Sequence, residues 1–408
     1  MQLSKNPIPR VSIVIPILDI PERFDALIKS LESQIFKDFE VIFVGTNGYS
    51  VSEEILCSFS NILDIKYFTS DKIYPGEKRN IGITKVPSGT QLIAFLDVGT
   101  IPENFWLKEA IEIHEKGFNV IFGKTKYIAD NLNQDLIRSA VYGKKGHITL
   151  PGTLILKNDF PKIGYFVEGI RAGEDVDWKE RALLHSNCSL SPRINLHYVN
   201  LPNAIIPVIK KFFIYYIHTS QIYSLKHTRD LYLSLLLIFL TLGVPQWNSI
   251  FGGLVFIPHI TKIYIISFLA FSGFYLIARR FIWKSTKNKK ILANTLSLVS
   301  FCLISISIFL WNSKIATLIE FVSLSFAFIT ELFLIALVTL SFLYRGIYRP
   351  LLFEVEPGMI FPFRWVRIGF IGILIDLAKF LGMVFGSLLG STPFKFFANL
   401  LRKIFKFF

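Results

Sequence analysis

Three polar clusters hold the side chains of this chain that could do chemistry. The first contains Arg79 and Asn80, the second is Asp97, and the third is the acidic run Glu174–Asp177. A guanidinium, or a metal ion held by a carboxylate, neutralises phosphate charge, and a carboxylate can also take a proton from a reacting hydroxyl. The clusters are therefore typical of a crevice that handles phosphate, a divalent metal and general-base chemistry.

The elements that must position these clusters alternate between strand and helix patterns. Strands are predicted over 11–16, 39–45, 64–68 and 91–96, and helices over 22–35, 52–59, 76–84 and 175–184. Such alternation predicts an α/β domain with a mostly parallel sheet, whose ligand crevice lies at the carboxyl ends of the strands. Pro16, Asp19, the segment 45–48 and Asp97 all fall at such ends.

Five motifs in order give the first half a resemblance to the family-2 glycosyltransferases of the GT-A fold. They are VSIVIP, EVIFVG, PGEKRNIGI, LIAFLDVGTIP and GEDVDW, and they cover roughly residues 10–200. The resemblance implies a nucleotide-sugar donor and an inverting displacement. It also implies that Asp97 is the first acid of the metal-binding DxD motif, that Asp175 is the general base, and that Arg79 and Asn80 border the donor.

Two positions depart from the family pattern. Gly99 stands where the family usually has the second acid of DxD, which weakens the metal prediction. Gly45-Thr46-Asn47-Gly48 stands where the family usually has Asp-Asp-Gly-Ser, in which an Asp reads the nucleotide base. The identity of the base therefore stays open.

The candidate site residues fall into three groups. Asp175 and Glu174 are the candidate catalytic acids, although helix capping is the alternative for an acid at a helix start. The candidate donor-binding residues are Pro16, Asp19, Thr46, Asn47, Lys78, Arg79, Asn80 and Asp97. Asp97 and His197 are the candidate ligands for Mg²⁺ or Mn²⁺, and an ordinary surface histidine is the alternative for His197.

The second half of the chain is apolar and basic. The whole chain has a net charge of +14, and residues 231–408 contain 17 Lys and Arg but five Asp and Glu. Basic residues beside long apolar runs favour cytoplasmic loops and anionic lipid headgroups over nucleic acid. The polar start, Met1–Arg10, has no apolar signal-peptide core, so the first half is expected to stay in the cytoplasm.

Four membrane spans are predicted, over 231–257, 263–282, 291–311 and 315–343. Basic residues concentrate between Arg279 and Lys290, which places that loop and the N-terminal half on the cytoplasmic side. Asp376 and Lys379 fall near the middle of 366–389, which favours a re-entrant or interfacial helix there.

The sequence thus predicts a GT-A-like α/β domain followed by an all-α transmembrane region. The predicted domains are 1–205 for the glycosyltransferase domain, 206–230 for an interfacial helical linker, 231–365 for the spans, and 366–408 for an interfacial or embedded helix with a basic amphipathic tail. The expected protein is an integral membrane enzyme of the cytoplasmic membrane that moves a sugar to a lipid-linked or membrane-proximal acceptor. The alternative is a non-catalytic membrane scaffold with a degenerate sugar-nucleotide domain.

Overall fold

The computed structural model describes residues 8–48, 59, 62–243, 259–285, 295, 299 and 329–389. The chain divides into two compact units. The first comprises Met1–Lys211 and Phe342–Asp376, and the second comprises Phe212–Ser341 and Leu377–Phe408. All three polar clusters lie in the first unit.

A nine-stranded sheet forms the centre of the first unit in the described residues. Its strands are β1 Val11–Pro16, β2 Phe39–Thr46, β3 Ile65–Ser70, β4 Leu92–Phe95, β5 Thr100–Pro102, β6 Val120–Tyr127, β7 His147–Leu156, β8 Cys188–Leu190 and β9 Leu196–Tyr198. The spatial order is β3-β2-β1-β4-β7-β6-β9-β5, with β8 beside β6. Strands β3, β2, β1 and β4 run parallel, so their carboxyl ends share one side of the sheet. The predicted α/β fold with a mostly parallel sheet is confirmed.

Helices flank this sheet and continue through the C-terminal half. In the first half they are α1 Phe24–Glu32, α2 Pro75–Lys85, α3 Trp106–Glu115, α4 Leu132–Val141, α5 Phe160–Ile163, α6 Glu174–His185 and α7 Ile205–Thr219. Further along they are α8 Lys226–Gly243, α9 His259–Ser285, α10 Ile329–Leu343, α11 Arg349–Leu352, α12 Pro357–Ile360 and α13 Arg364–Leu389. A π-helical turn, Tyr344–Tyr348, joins α10 to α11.

The two faces of the sheet are covered by different helices. Ile13 and Ile15 point to the side that packs against α1 and α3, where Leu27 and Trp106 are fully buried. Val14 points to the opposite side, which packs against α2 and α6. Alternate residues of a strand face opposite sides, and burial on both faces explains why β1 is a continuous apolar run.

Helix α2 lies directly on β1 because Gly82 has no side chain. A Cβ at Gly82 would lie 2.4 Å from Cγ1 of Val14, which is well inside van der Waals contact. This close approach holds the first turns of α2, with Lys78 and Arg79, beside the carboxyl ends of the parallel strands.

A segment distant in sequence completes the first unit. Arg349 donates hydrogen bonds to the carbonyl oxygens of Ala140 and Val141 at 2.6 and 2.8 Å. These carbonyls belong to the last turn of α4, where intrahelical partners run out. The Phe353 ring also stacks on His147, with 5.9 Å between ring centroids. The segment Phe342–Asp376 therefore stabilises the end of α4.

The second unit contains a buried ion pair between α8 and α9. Asp230 is 2 % exposed and accepts a hydrogen bond from Nε of Arg279 at 2.7 Å. Glycines permit a second close contact, because a Cβ at Gly386 of α13 would lie 2.3 Å from Oγ of Ser220.

Helix α13, Arg364–Leu389, is the single helix among the described residues that is long and apolar enough to cross a membrane. Asp376, near its middle, pairs with Nε of Arg345 at 2.9 Å. The predicted span 263–282 falls within α9. The predicted spans 231–257 and 315–343 are described only over 231–243 and 329–343, and 291–311 lies outside the described residues apart from 295 and 299.

Candidate active site

The candidate site lies where three neighbouring parallel strands end. Pro16 ends β1, Thr46 ends β2, and Asp97 follows β4 by two residues. Strand register places Pro16 opposite Val44 and Phe95 opposite Val14, so these ends are adjacent. The structure therefore places these residues at the edge of the sheet that the strand pattern predicts, where ligands bind in open α/β sheets.

A tight turn fixes Asp97. The Thr100 hydroxyl donates to the Asp97 carbonyl oxygen at 2.7 Å, and the Thr100 amide donates to the same oxygen at 3.0 Å. Thr100 is 1 % exposed, whereas the Asp97 side chain is 35 % exposed. The turn therefore presents the carboxylate to the crevice while its backbone is held in place.

Arg79, of the first polar cluster, bonds to both of the other clusters. Its Nη2 donates to Oδ1 of Asp97 at 2.6 Å and its Nη1 donates to Oε1 of Glu174 at 3.1 Å. The guanidinium is 3 % exposed and lies 5.6 Å from the centroid of the Phe166 ring. Burial opposes the charge, but the carboxylates of Asp97 and Glu174 outweigh it and raise the pKa of Arg79. Arg79 is thus a buried guanidinium paired with the partly exposed carboxylate of Asp97 and with the buried side chain of Glu174.

Glu174 starts helix α6 and is the most perturbed acid of the cluster. Gly173 precedes it with φ of 93°, a backbone conformation that glycine adopts readily. Burial, followed by the charge of Asp175, raises the pKa of Glu174 to about 8. Within the described residues, its Oε2 is buried without a hydrogen-bond partner. Burial thus favours the protonated form of Glu174, while Arg79 favours its charged form.

Asp175 is better placed than Glu174 to meet a substrate. Its side chain is partly exposed, whereas Glu174 is 4 % exposed. Its Oδ1 accepts the Val176 amide hydrogen at 2.8 Å, which orients the carboxylate at the helix start. Asp177, the third acid of the run, instead accepts from Nε of Arg181 at 2.9 Å, one turn further along α6.

Lys78 is a buried cation on the other side of α2. It is 1 % exposed and donates to the Ile17 carbonyl oxygen, just beyond β1, at 2.7 Å. Burial lowers the pKa of Lys78 to about 8, against the opposing effects of Asp19 and Glu77. Asp19 itself is exposed at the crevice rim.

The residues predicted to border the donor base are tied to the end of β3. Oγ1 of Thr46 donates to the Lys72 carbonyl oxygen at 2.7 Å, and Nδ2 of Asn47 donates to Oδ1 of Asp71 at 2.8 Å. Sequence reasoning missed Asp71. The predicted strand 64–68 ended three residues before Asp71, whereas the observed β3 runs to Ser70 and places Asp71 directly at its carboxyl end, where a crevice carboxylate is expected.

Asn80 holds a loop of the domain. Its Nδ2 donates to the Phe166 carbonyl oxygen at 3.0 Å, and its Oδ1 accepts the Phe166 amide hydrogen at 2.9 Å. This two-way contact fixes the ring of Phe166 beneath Arg79. Asn80 therefore holds the Phe166 loop, on which Arg79 packs. Its predicted contact with the donor stays a prediction.

The candidate metal ligands have other partners. One oxygen of Asp97 is engaged by Arg79, and Nε2 of His197 lies 2.6 Å from Oε1 of Glu103. Across the residues that the structure describes, no group of three or more His, Cys, Asp or Glu side chains is arranged to hold a metal ion. Divalent cations of this kind prefer several oxygen ligands. The side chains present do not fit a resident Mg²⁺ or Mn²⁺.

Two further residues near Asp97 were not predicted. The Tyr198 ring faces Gly99, and Nζ of Lys211 lies 5.7 Å from the centroid of that ring. Burial and the nearby Asp97 carboxylate raise the pKa of Tyr198. No sequence signal pointed to either residue, because their proximity depends on the pairing of β9 with β5 and on the course of α7.

Comparison with known proteins identifies the domain that carries this geometry. Residues 12–175 match the model of glycosyl transferase family 2. The segment is a family-2 glycosyltransferase domain. The resemblance drawn from the five motifs and the expected α/β fold are therefore confirmed. The match runs from β1 to the start of α6 and includes Arg79, Asn80, Asp97, Glu174 and Asp175.

Relatives and solved structures are similar over part of the chain. An uncharacterised glycosyltransferase of Rickettsia conorii is 28 % identical over 183 residues, which are 41 % of this chain and 29 % of that protein. One of Rickettsia bellii is 29 % identical over 41 % of this chain and 25 % of its own length. The chain thus matches less than a third of these relatives. The crystal structure of S. aureus TarS 1–349 with UDP-GlcNAc gives a TM-score of 0.40 at 15 % identity, covering 73 % of this chain and 91 % of that one.

Proposed function

We propose that this protein is a membrane-bound inverting glycosyltransferase that moves a hexose from a nucleotide-sugar donor to a lipid-linked or membrane-proximal acceptor. The Asp97–Arg79–Glu174 cluster with Asp175 beside it carries the proposal. It joins a strand-end carboxylate, a buried guanidinium and a substrate-accessible acid in one crevice. The match of residues 12–175 to glycosyl transferase family 2 supports the same chemistry.

In the proposed reaction, Asp175 is the general base. The acceptor oxygen attacks the anomeric carbon of the donor sugar while the bond from that carbon to the diphosphate oxygen breaks on the opposite face. The acceptor proton passes to the Asp175 carboxylate, and the nucleoside diphosphate leaves with the bonding electrons. An attack from the opposite face inverts the anomeric configuration. Asp175 suits this role because its carboxylate is accessible and oriented by the Val176 amide.

Arg79 and Glu174 are positioning residues in this scheme. Arg79 is bonded to both acids and is almost completely buried, so it holds Asp97 and the start of α6 at a fixed separation. A protonated Glu174 keeps the cluster from carrying excess negative charge beside an anionic donor. Preorganised charge of this kind costs no rearrangement when the leaving group departs.

The membrane-borne acceptor is proposed from the C-terminal half. Helix α13 is apolar and long enough to cross a bilayer, and residues 231–408 are strongly basic. A catalytic domain carried by an apolar, basic region suits an acceptor that lives in the cytoplasmic membrane, with anionic membrane lipids as further partners.

The scaffold alternative rests on two observations at the end of β4. Gly99 replaces an acid, and Arg79 engages the remaining one, as expected for a domain that no longer turns over its donor. Turnover separates the two functions. Purified full-length protein, incubated with radiolabelled nucleotide sugars and an extract of membrane lipids, is expected to form a labelled lipid-soluble product. Asp175→Asn removes the proposed base and is expected to lose this transfer. Asp64→Asn, which alters an exposed acid at the amino end of β3, is its matched control. Absence of transfer from every donor tested would favour the scaffold.

A further inference from the structure

The position that lacks its acid, Gly99, faces an aromatic ring. A Cβ built on Gly99 would lie 3.4 Å from Cε2 of Tyr198 and 3.8 Å from its hydroxyl oxygen. These are ordinary van der Waals separations. A side chain at position 99 would therefore point at the Tyr198 ring and its hydroxyl. The Tyr198 ring thus borders the position next to Asp97 at which an acid is missing.

Strand pairing fixes Tyr198 in this place. Tyr198 of β9 is opposite Thr100 of β5, and the Val199 amide donates to the Gly99 carbonyl oxygen at 3.0 Å. Thr100 is the residue that holds the Asp97 turn. Asp97, Gly99 and Tyr198 are thus locked together by backbone hydrogen bonds rather than by flexible side chains.

A lysine lies close to the same ring. Nζ of Lys211, on α7, lies 5.7 Å from the Tyr198 ring centroid, within the range of a cation–π contact. Burial and then the positive charge of Arg171 lower the pKa of Lys211, whereas the Asp97 carboxylate opposes them. The Tyr198 ring thus lies between Lys211 on one helix and the position at Gly99 that lacks an acid.

The Asp97 carboxylate already has a cationic partner. Arg79 pairs with it at 2.6 Å, and burial favours the protonated form of Glu174. Nζ of Lys211 then adds a basic group beside the Tyr198 ring, which faces the position where Gly99 leaves out an acid. A diphosphate that gains negative charge as its bond to the sugar breaks needs cations at this place.

We propose that Lys211, assisted by the Tyr198 hydroxyl, binds the diphosphate of the donor directly and supplies the positive charge that a metal ion held by two acids would otherwise provide. This inference rests on the proposed function and specifies how the donor is held. The amine suits a diphosphate because a compact ammonium carries three donors that can reach several phosphate oxygens.

Binding measured without catalysis tests the proposal. Full-length protein in detergent is titrated with UDP, GDP, ADP and TDP, once in EDTA and once in Mg²⁺. The nucleotide that binds is expected to have the same Kd within about threefold in both buffers. Lys211→Met is expected to weaken it roughly 10- to 100-fold in EDTA, the cost of losing a charge-assisted hydrogen bond. Lys211→Arg should recover most of that affinity, which separates lost charge from misfolding.

Two more variants sharpen the result. Lys210→Met removes the same charge from the adjacent position of α7, about 100° around the helix, and is expected to leave Kd unchanged. Gly99→Asp combined with Lys211→Met restores the missing acid and removes the cation, so its nucleotide binding is expected to become dependent on Mg²⁺. Position 99 can accept a side chain because the nearest atom would be 3.4 Å away.

The outcomes separate this inference from the proposed function. Nucleotide binding that EDTA abolishes in the unchanged protein, or that Lys211→Met leaves intact, overturns the direct cation contact even if sugar transfer is observed. Metal-independent, Lys211-sensitive binding without any sugar transfer supports the contact and counts against the transferase. Failure of all four nucleotides to bind in either buffer overturns both.

Discussion

Asp175 is the residue at which the proposed chemistry is most directly tested. Asp175→Asn keeps the shape of the side chain and its bond to the Val176 amide but cannot accept a proton. We expect the transfer rate to fall about 10²- to 10⁴-fold, with nucleotide affinity unchanged within a few-fold. Transfer from a radiolabelled donor and a nucleotide titration measure the two effects, with Asp64→Asn as control. A variant that keeps more than about a third of the normal rate would contradict this role. It would show that another group is the base, or that the acceptor is an already ionised phosphate that needs none.

Glu174 predicts a dependence of stability on pH. Its pKa is raised from 4.5 to about 8 in the folded protein, so the folded state holds this proton more tightly than the unfolded chain. Rising pH therefore lowers the free energy of unfolding through the window from about 4.5 to about 8, and the stabilisation is fully present below it. We expect Glu174→Gln to raise the Tm relative to the unchanged protein more at pH 8.5 than at pH 5.5.

Thermal unfolding of the full-length protein in detergent at both pH values measures this. Glu32→Gln, at the exposed end of α1, is the control and should show no such difference. A Glu174→Gln variant whose Tm keeps the same separation from the unchanged protein at the two pH values would contradict the raised pKa.

At the scale of elements, the seating of α2 on β1 depends on one glycine. Gly82→Ala places a methyl group 2.4 Å from Cγ1 of Val14, so the helix must shift. Overpacking of this kind costs about 1–3 kcal/mol. We expect a Tm lowered by several degrees, and weaker nucleotide binding because Lys78 and Arg79 move with the helix. Adding Val14→Ala should restore part of the loss, and Gly358→Ala, with no atom within 4 Å of its Cβ, should have little effect.

The ends of β2 and β3 predict which carboxylate reads the nucleotide base. Asn47 donates its amide to the Ser70 carbonyl oxygen at 2.9 Å and its side chain to Asp71 at 2.8 Å. Asp71, which follows β3, thus supplies a carboxylate beside the position at which the family has one after β2. We expect Asp71→Ala to reduce the preference between donors of different bases by about tenfold in kcat/KM. Asp64→Ala, at the other end of β3, is the control, and an unchanged preference for Asp71→Ala would exclude this role.

At the scale of the whole molecule, the charge pattern predicts the side of the membrane. Six Lys and Arg lie from Arg279 to Lys290, and by the positive-inside rule they predict a cytoplasmic location for this stretch and for the glycosyltransferase domain. A cysteine introduced at Ser285 should resist a membrane-impermeant maleimide in intact cells and react after permeabilisation. One introduced at Ser313, a position outside the described residues, should react in intact cells. The reverse pattern would place the domain, and its donor, on the other side.

Local patterns predicted β1 to β4, α1, α2 and α6, whereas β5 to β9 and α3 to α5 were not predicted. The predicted helix 52–59 lies outside the described residues apart from 59. Runs of mostly apolar residues predicted β1, β2 and β4, because a strand buried on both faces needs apolar side chains at nearly every position. The apolar stripe of α1 was also predicted, although its expected extension to Ile35 was wrong. The helix ends at Glu32, and the Ile35 amide bonds to the Asn104 carbonyl oxygen instead, leaving Ile35 52 % exposed.

The amino-acid order alone was sufficient for the class of domain and for the strand ends at which chemistry is expected, since both follow from patterns within short segments. The order of the five motifs further predicted that Arg79, Asp97 and Glu174 belong to one crevice. The tertiary structure decided which groups are partners. Arg79 engages both acids, Glu103 takes His197, and Tyr198 with Lys211 faces Gly99. These contacts join residues up to about a hundred positions apart, and they depend on strand register and helix packing, which a local pattern does not encode.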